Sequence, residues 1–132
     1  MKLILPIPPS INHYYRNDEQ GGRKINKRGK EYRFAVKLAA TQARAEKIEG
    51  AVSVIVYVIC PDYRRRDLDN MLKCLLDAIT HAGLIEDDSM IVELSMYKHK
   101  PDSSNKSGQA IVNIDKMPQD DIEIRKAGAW II

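Results

Sequence analysis

Arg64-Arg65-Arg66-Asp67-Leu68-Asp69-Asn70-Met71-Leu72-Lys73 opens a segment whose apolar residues keep one helical spacing. Leu68, Met71, Leu72, Leu75, Leu76 and Ile79 recur every three or four positions, so residues 67–82 are predicted to form a helix with a buried stripe. Gly83 follows as a C′ glycine. Before it, residues 51–59 read Ala-Val-Ser-Val-Ile-Val-Tyr-Val-Ile, a β-branched run apolar on both faces, which fits a strand in a sheet interior. Pro61-Asp62 ends that strand.

Working outward, residues 2–5 make a short apolar strand that Pro6, Pro8 and Pro9 terminate. Residues 12–27 form a long polar connection, with Gly21-Gly22 as its most flexible point. Residues 28–47 are rich in helix formers, with Tyr32, Ala35, Leu38, Ala39 and Ala43 as the packing stripe and Gly50 as the stop. Residues 90–98 and 109–115 read as two strands joined into a hairpin by the polar loop 101–108. The predicted order is β-α-β-α-β-β: an α+β domain over residues 1–116, its four-stranded sheet packed with two helices. Residues 117–132 make a tail of unassigned role whose apolar end, with Trp130, is expected to dock on its own core or on a partner chain.

A chain of 132 residues, 44% hydrophobic and 30% charged, suits one soluble domain. Its net charge of +3 hides an asymmetry: residues 1–66 hold 14 Lys and Arg against 6 Asp and Glu, while residues 67–132 hold 7 against 12. Such a split suits a polyanionic partner for the basic half, or simply two solvated faces. Cys60 and Cys74 lack metal-ligand neighbours and fit a reduced, cytoplasmic protein. No segment approaches membrane-spanning length, and residues 1–5 are too short for a signal-peptide core.

Asp67, Asp69 and Lys73 carry the chemistry. On a helix starting at Asp67, Asp69, Lys73 and Asp77 fall at i, i+4 and i+8 and share a face, with Asp67 at its entrance. A hard cation such as Mg²⁺ takes oxygen ligands and keeps waters, so two or three carboxylates suffice to hold it beside a phosphodiester. A lysine one turn on can offset charge on the phosphoryl oxygens. The alternative is ordinary helix chemistry: Asp67 as an N-cap, and Asp69 with Lys73 as a surface pair. Asp87-Asp88 is either a third acidic contribution or a solvated turn, because a helix spanning roughly 24 Å separates it from Asp67 unless the connection returns.

The stretch Arg65-Arg66-Asp67-Leu68-Asp69-Asn70, then Lys73, Asp77-Ala78, Gly83 and Asp87-Asp88, resembles the RusA family of Holliday-junction resolvases. Leu5-Pro6-Ile7-Pro8-Pro9-Ser10-Ile11-Asn12-His13-Tyr14-Tyr15-Arg16 is similar to that family's Pro-Pro-Ser-x-Asn opening. The resemblance covers about residues 3–115 and implies a small homodimeric endonuclease of bacteria or phages. It implies dependence on Mg²⁺, with Mn²⁺ as a possible substitute, and paired symmetric cuts in four-way DNA junctions during recombination and repair. It also implies metal binding by Asp67, Asp69 and Asp88, a catalytic Lys73, and a lesser role for Asp87. Residues 117–132 match no pattern of the family.

The remaining basic and aromatic residues suit DNA. Asn12, Tyr14, Tyr15, Arg16, Lys24, Lys27 and Arg28, with Arg65 and Arg66 beside the acidic site, are the candidate DNA contacts. Packing against the sheet is an equal reading for the two tyrosines. A Pro-Asp…(Asp/Glu)-x-Lys nuclease is disfavoured, since residues 90–98 lack the acidic-x-Lys triplet, and a nucleotidyltransferase lacks its Gly-Ser motif. The rival outside enzymes is a protein that binds branched DNA without cutting it.

Overall fold

The computed structural model describes residues 1–117. Its elements are β1 (Lys2–Leu5), α1 (Ile11–Tyr14), β2 (Tyr15–Asn17), β3 (Arg23–Ile25), α2 (Lys27–Gln42), β4 (Val52–Ile59), α3 (Leu68–His81), a 3₁₀ turn (Asp88–Met90), β5 (Ile91–His99) and β6 (Gln109–Lys116). The main sheet has the order β1-β6-β4-β5, and β2 and β3 form a separate ribbon. The domain is mixed α and β, with a four-stranded sheet as expected and α1 as a third, short helix. The tail expectation falls on residues outside those described, except that Met117 is buried and its N–H donates to the Ala51 carbonyl.

The valines of β4 decide the layering. Val52, Val54, Val56 and Val58 alternate onto one face and are fully buried, joined there by Ala110, Val112 and Ile114 of β6 and by Leu3 and Leu5 of β1. This face packs with Met71, Cys74, Leu75, Ala78 and Ile79 of α3 and with Tyr32, Val36 and Ala40 of α2. The second face carries Ile55, Tyr57 and Ile59, with Tyr57 stacked on Tyr97 at 5.1 Å between ring centroids. Both cysteines are buried free thiols, and burial pushes the Cys74 thiol up to about 11.

Three expectations need correcting. Residues 90–98 and 109–115 do not pair as a hairpin: β4 lies between β5, to which it is parallel, and β6, to which it is antiparallel. The 101–108 loop therefore crosses the end of β4. A Cβ at Gly108 would sit 2.8 Å from the Ile59 carbonyl oxygen and 2.8 Å from Pro61 Cδ, so the crossing is too tight for a side chain. Second, α2 buries Gly29, Tyr32, Val36 and Ala40, leaving Leu38 and Ala43 outside. The close seat of Gly29 on α1, with its virtual Cβ 2.5 Å from the Tyr14 carbonyl oxygen, turns the helix onto that stripe. Third, α2 ends at Gln42, because Arg44 adopts a left-handed φ of 53° well before Gly50. The α3 helix keeps its expected extent and its stripe, widened by Cys74 and Ala78, and Gly83 follows at φ 78°.

Candidate phosphodiester-binding cleft

The parallel pairing of β4 and β5 makes α3 the crossover between them. Its N-terminus therefore lies where both strands end. Asp62 shapes the loop entering it. Its Oδ1 accepts from Arg66 Nη1 at 2.7 Å and from the Arg64 N–H at 2.9 Å, and Arg66 also reaches the Asp62 and Arg64 carbonyls. The Arg66 hydrogen bond leads the causes that hold the Asp62 carboxyl down at about 2. Lys98 Nζ donates to the Arg66 carbonyl at 3.0 Å, fastening the loop to β5. Arg66, expected to touch DNA, is thus engaged as a tether, whereas Arg64 and Arg65 are exposed.

Asp67 stands at the N-cap of α3 with extended backbone, yet its side chain makes no capping bond. The capping alternative is not realised. Asp69 lies exposed in the first turn and Lys73 one turn further, also exposed. Among the described residues no ion pair within 4.0 Å joins Asp69 to Lys73, so the surface-pair alternative fails too. These three groups are available to a ligand. Asp77 is not: eight residues advance a helix by more than two turns, which swings it round to α2. There Arg33 donates to it at 2.9 and 3.2 Å, and the Tyr14 hydroxyl donates to it as well. Burial works against ionisation of Asp77, but the hydrogen bonds from Arg33 and Tyr14 prevail and its pKa is lowered.

The N-terminal motif folds against this same helix. Ser10 starts α1, its carbonyl accepting from the His13 and Tyr14 N–H groups, and its hydroxyl lies 3.1 Å from His13 Nδ1. Tyr14 has no exposed surface, which corrects the expectation that its ring stacks on a base. Burial, then the Asp77 hydrogen bond, raises its pKa. Tyr15 is half-buried, with the Arg23 guanidinium 5.6 Å from its ring centroid. In the ribbon, exposed Arg16 and Lys24 sit directly opposite one another. Like charges in that register destabilise a strand pair unless an anion lies across them. Asn12, Lys27 and Arg28 are exposed, and Lys27 Nζ is 4.0 Å from Glu31. Residues 12–27, expected as a long polar connection, carry most of α1 and the strands β2 and β3, which are too short and polar to leave a periodic signal.

Between the two motifs runs a cleft of about 610 Å³. Pro8, Pro9, Ser10 and His13 line it on one side, Arg28, Glu31 and Tyr32 on α2, and Arg64, Arg65, Arg66, Asp67, Asn70 and Met71 on the other. Asp88 is elsewhere. It begins the turn before β5, whose first residue pairs with Val52 at the start of β4, so it belongs to the opposite end of α3. With 14 residues that helix is roughly 21 Å long. Asp87 caps the 3₁₀ turn through Ser89, hydrogen bonds that lower its pKa. Among the described residues of one chain, no three Asp, Glu, His or Cys side chains converge as they would around a metal ion. Nor is any helix there long and apolar enough to cross a membrane.

The unspent Asp67 carboxylate at a helix entrance, facing a cleft rimmed with arginine and with Asp69 exposed in the first turn, defines a protein that handles phosphodiesters. The comparisons give the family. A model described as "Endodeoxyribonuclease RusA" matches residues 6–125. The chain is 36% identical over 99 residues to the crossover junction endodeoxyribonuclease of Enterobacteria phage HK97, covering 74% of this chain and 81% of that protein. It is 40% identical over 98 residues to the enzyme of the same name from Shigella sonnei strain Ss046, covering 73% and 80%, and 39% identical over 98 residues to that of Escherichia coli K12, with the same coverage. The chain belongs to the RusA endodeoxyribonuclease family.

Proposed function

We propose that this protein is a Mg²⁺-dependent endonuclease that resolves four-way DNA junctions as a homodimer, in the cytoplasm of a bacterium that carries the gene itself or on a phage. The observation that carries the reading is Asp67: its carboxylate makes no capping bond to the helix it precedes and opens into the cleft shared by both motifs. Relatives named crossover junction endodeoxyribonucleases supply the substrate class.

The donor set fits the ion. Asp67, Asp69 and Asp88 offer only carboxylate oxygens, which suit a hard divalent cation, and Mn²⁺ would be accepted by the same ligands. When bound, the ion supplies a deprotonated water and stabilises charge on the phosphate. The chain's own residues do the rest. Arg64 and Arg65 hold the backbone phosphates at the cleft, the Arg16–Lys24 ribbon holds a neighbouring stretch, and Lys73 offsets charge building on the phosphoryl oxygens.

Asp88 also argues for the dimer. It lies a helix length from Asp67 and Asp69 in its own chain, so it can join them only from a second copy. Among the described residues the β5 strand has one sheet neighbour, β4, and Val92 and Leu94 on it are 47% and 43% exposed. An exposed apolar edge invites pairing. Two such edges pairing antiparallel about a two-fold axis set the start of one β5 beside the end of the other. That end is tied to Arg66 and Asp67 through Lys98, so the arrangement brings Asp88 of one copy toward Asp67 and Asp69 of the other. Two sites related by a two-fold axis match two symmetric cuts.

One observation favours a second reading: among the described residues of one chain no three carboxylates gather, so a monomer would bind branched DNA without cutting it. A synthetic four-way junction, beside linear duplex of the same sequence, separates the two with Mg²⁺ or Mn²⁺. Resolution predicts paired symmetric nicks in the junction alone. They are abolished in Asp69→Asn, which should bind the junction as well as wild type or better because repulsion from the phosphates falls. Binding without cuts across several junction sequences supports the second reading.

A further inference from the structure

We infer that the cleft between Pro9-Ser10 and Arg64-Asp67 takes one unstacked nucleotide next to the bond being cut, with Glu31 accepting a hydrogen bond from an amino group on its base. This rests on the reading of the chain as a junction nuclease. A groove that served only the DNA backbone would be cationic throughout. This cleft is cationic only in part: Arg28, Arg64 and Arg65 supply charge, while half-buried Pro9, with the buried Pro8, Tyr32 and Met71 behind it, makes the rest of the wall apolar. The Tyr32 hydroxyl donates to the Pro6 carbonyl at 2.9 Å, so that buried residue adds no free polar group to the wall. At about 610 Å³ the space is that of a small-molecule pocket and suits a single nucleotide.

Glu31 is the feature that phosphate binding leaves unexplained. Its side chain is 63% exposed and its contact with Lys27 is long, at 4.0 Å. A carboxylate on the wall of a cleft built to receive DNA repels phosphate. It does accept from the exocyclic amino groups of cytosine or adenine, whereas thymine carries the O4 acceptor at the corresponding position. Asn70, on the opposite wall, can both donate and accept. The walls are held in place before any ligand arrives, by Asp62 on Arg66 and by Tyr14 and Arg33 on Asp77, so a base entering would meet a formed pocket. Unstacking a base is least costly where stacking is already broken, as at a junction crossover.

The test is a set of mobile junctions that present each nucleotide in turn at the crossover, cut by wild type and by Glu31→Gln. Wild type should favour an amino-bearing base over thymine at one flanking position by about 10- to 100-fold, the discrimination of one base-edge contact. Glu31→Gln should flatten that preference to within about 3-fold. In parallel, 2-aminopurine placed at each flanking position, without divalent cation, should brighten several-fold at one position when wild type binds. Equal preferences in wild type and Glu31→Gln, or binding with every probe still quenched, overturn the inference and leave the resolvase reading intact. A wild-type protein that neither binds nor cuts junctions removes that reading and this one together.

Discussion

Arg33→Met tests the link between the two motifs. Arg33 and Asp77 are 25% and 29% exposed, joined by two hydrogen bonds, with the Tyr14 hydroxyl as a third partner of the carboxylate. Removing one partner of a fully buried pair costs about 3–5 kcal/mol, since a charge is left without compensation. Water reaches part of this pair, which reduces the expected loss to about 2 kcal/mol. In a domain of this size that is a fall in melting temperature of roughly 6–10 °C. The pH dependence gives the sharper signature. The folded pKa of Asp77 is lowered, so its contribution is complete above the unfolded carboxylate value of about 3.9 and is lost as pH falls through the folded value. Without Arg33 its lowering of the Asp77 pKa is lost, so that pKa should rise. Urea unfolding of both proteins at pH 7 and near pH 3 should therefore show a difference of about 2 kcal/mol at the higher pH that shrinks on acidification. A loss under about 0.5 kcal/mol at pH 7, or an equal difference at both pH values, would refute the reasoning.

Two further outcomes follow from the same contacts. Gly29→Ala should destabilise by about 1–3 kcal/mol by overpacking, because the added methyl falls 2.5 Å from the Tyr14 carbonyl oxygen and 2.7 Å from Ile25 Cγ1; urea unfolding measures it. Arg65→Ala should weaken junction binding evenly across sequences and reduce the slope of log affinity against log salt by about 0.9, read from binding titrations over a range of salt. An unchanged slope would remove Arg65 from the phosphate contacts.

Much of the fold was legible where burial leaves a period in the sequence. The β-branched run of β4 and the leucine stripe of α3 placed both elements, and the prolines at 6, 8 and 9 ended β1 correctly. Strand order was not legible. A polar loop of eight residues serves a hairpin or a crossing equally well, and it is the pairing of β4 with both β5 and β6, with Gly108 seated tightly over Ile59, that distinguishes the two. The α2 stripe was misjudged because its small residues fit more than one face, and the choice was made by contact with α1, far from it in periodicity. At the site, Asp67 and Asp69 were visible as a motif. Whether Asp67 was consumed as a cap depended on a side-chain rotation that no spacing encodes. Tyr14 looked like a DNA contact because it sits among basic residues; its partners Arg33 and Asp77 come from two helices that only the tertiary structure brings together.

The composite site is tested most directly by mixing two inactive variants. Asp69→Asn and Asp88→Asn should each fail to cut a four-way junction with Mg²⁺. In a mixed dimer, however, one site receives both lesions and the other receives neither. Combined and allowed to exchange subunits, the two variants should recover nicking of one strand per junction while paired cuts stay absent. A mixture that stays inactive, although wild type cuts and exchange is demonstrated, would contradict the assignment of Asp88 to the partner's site.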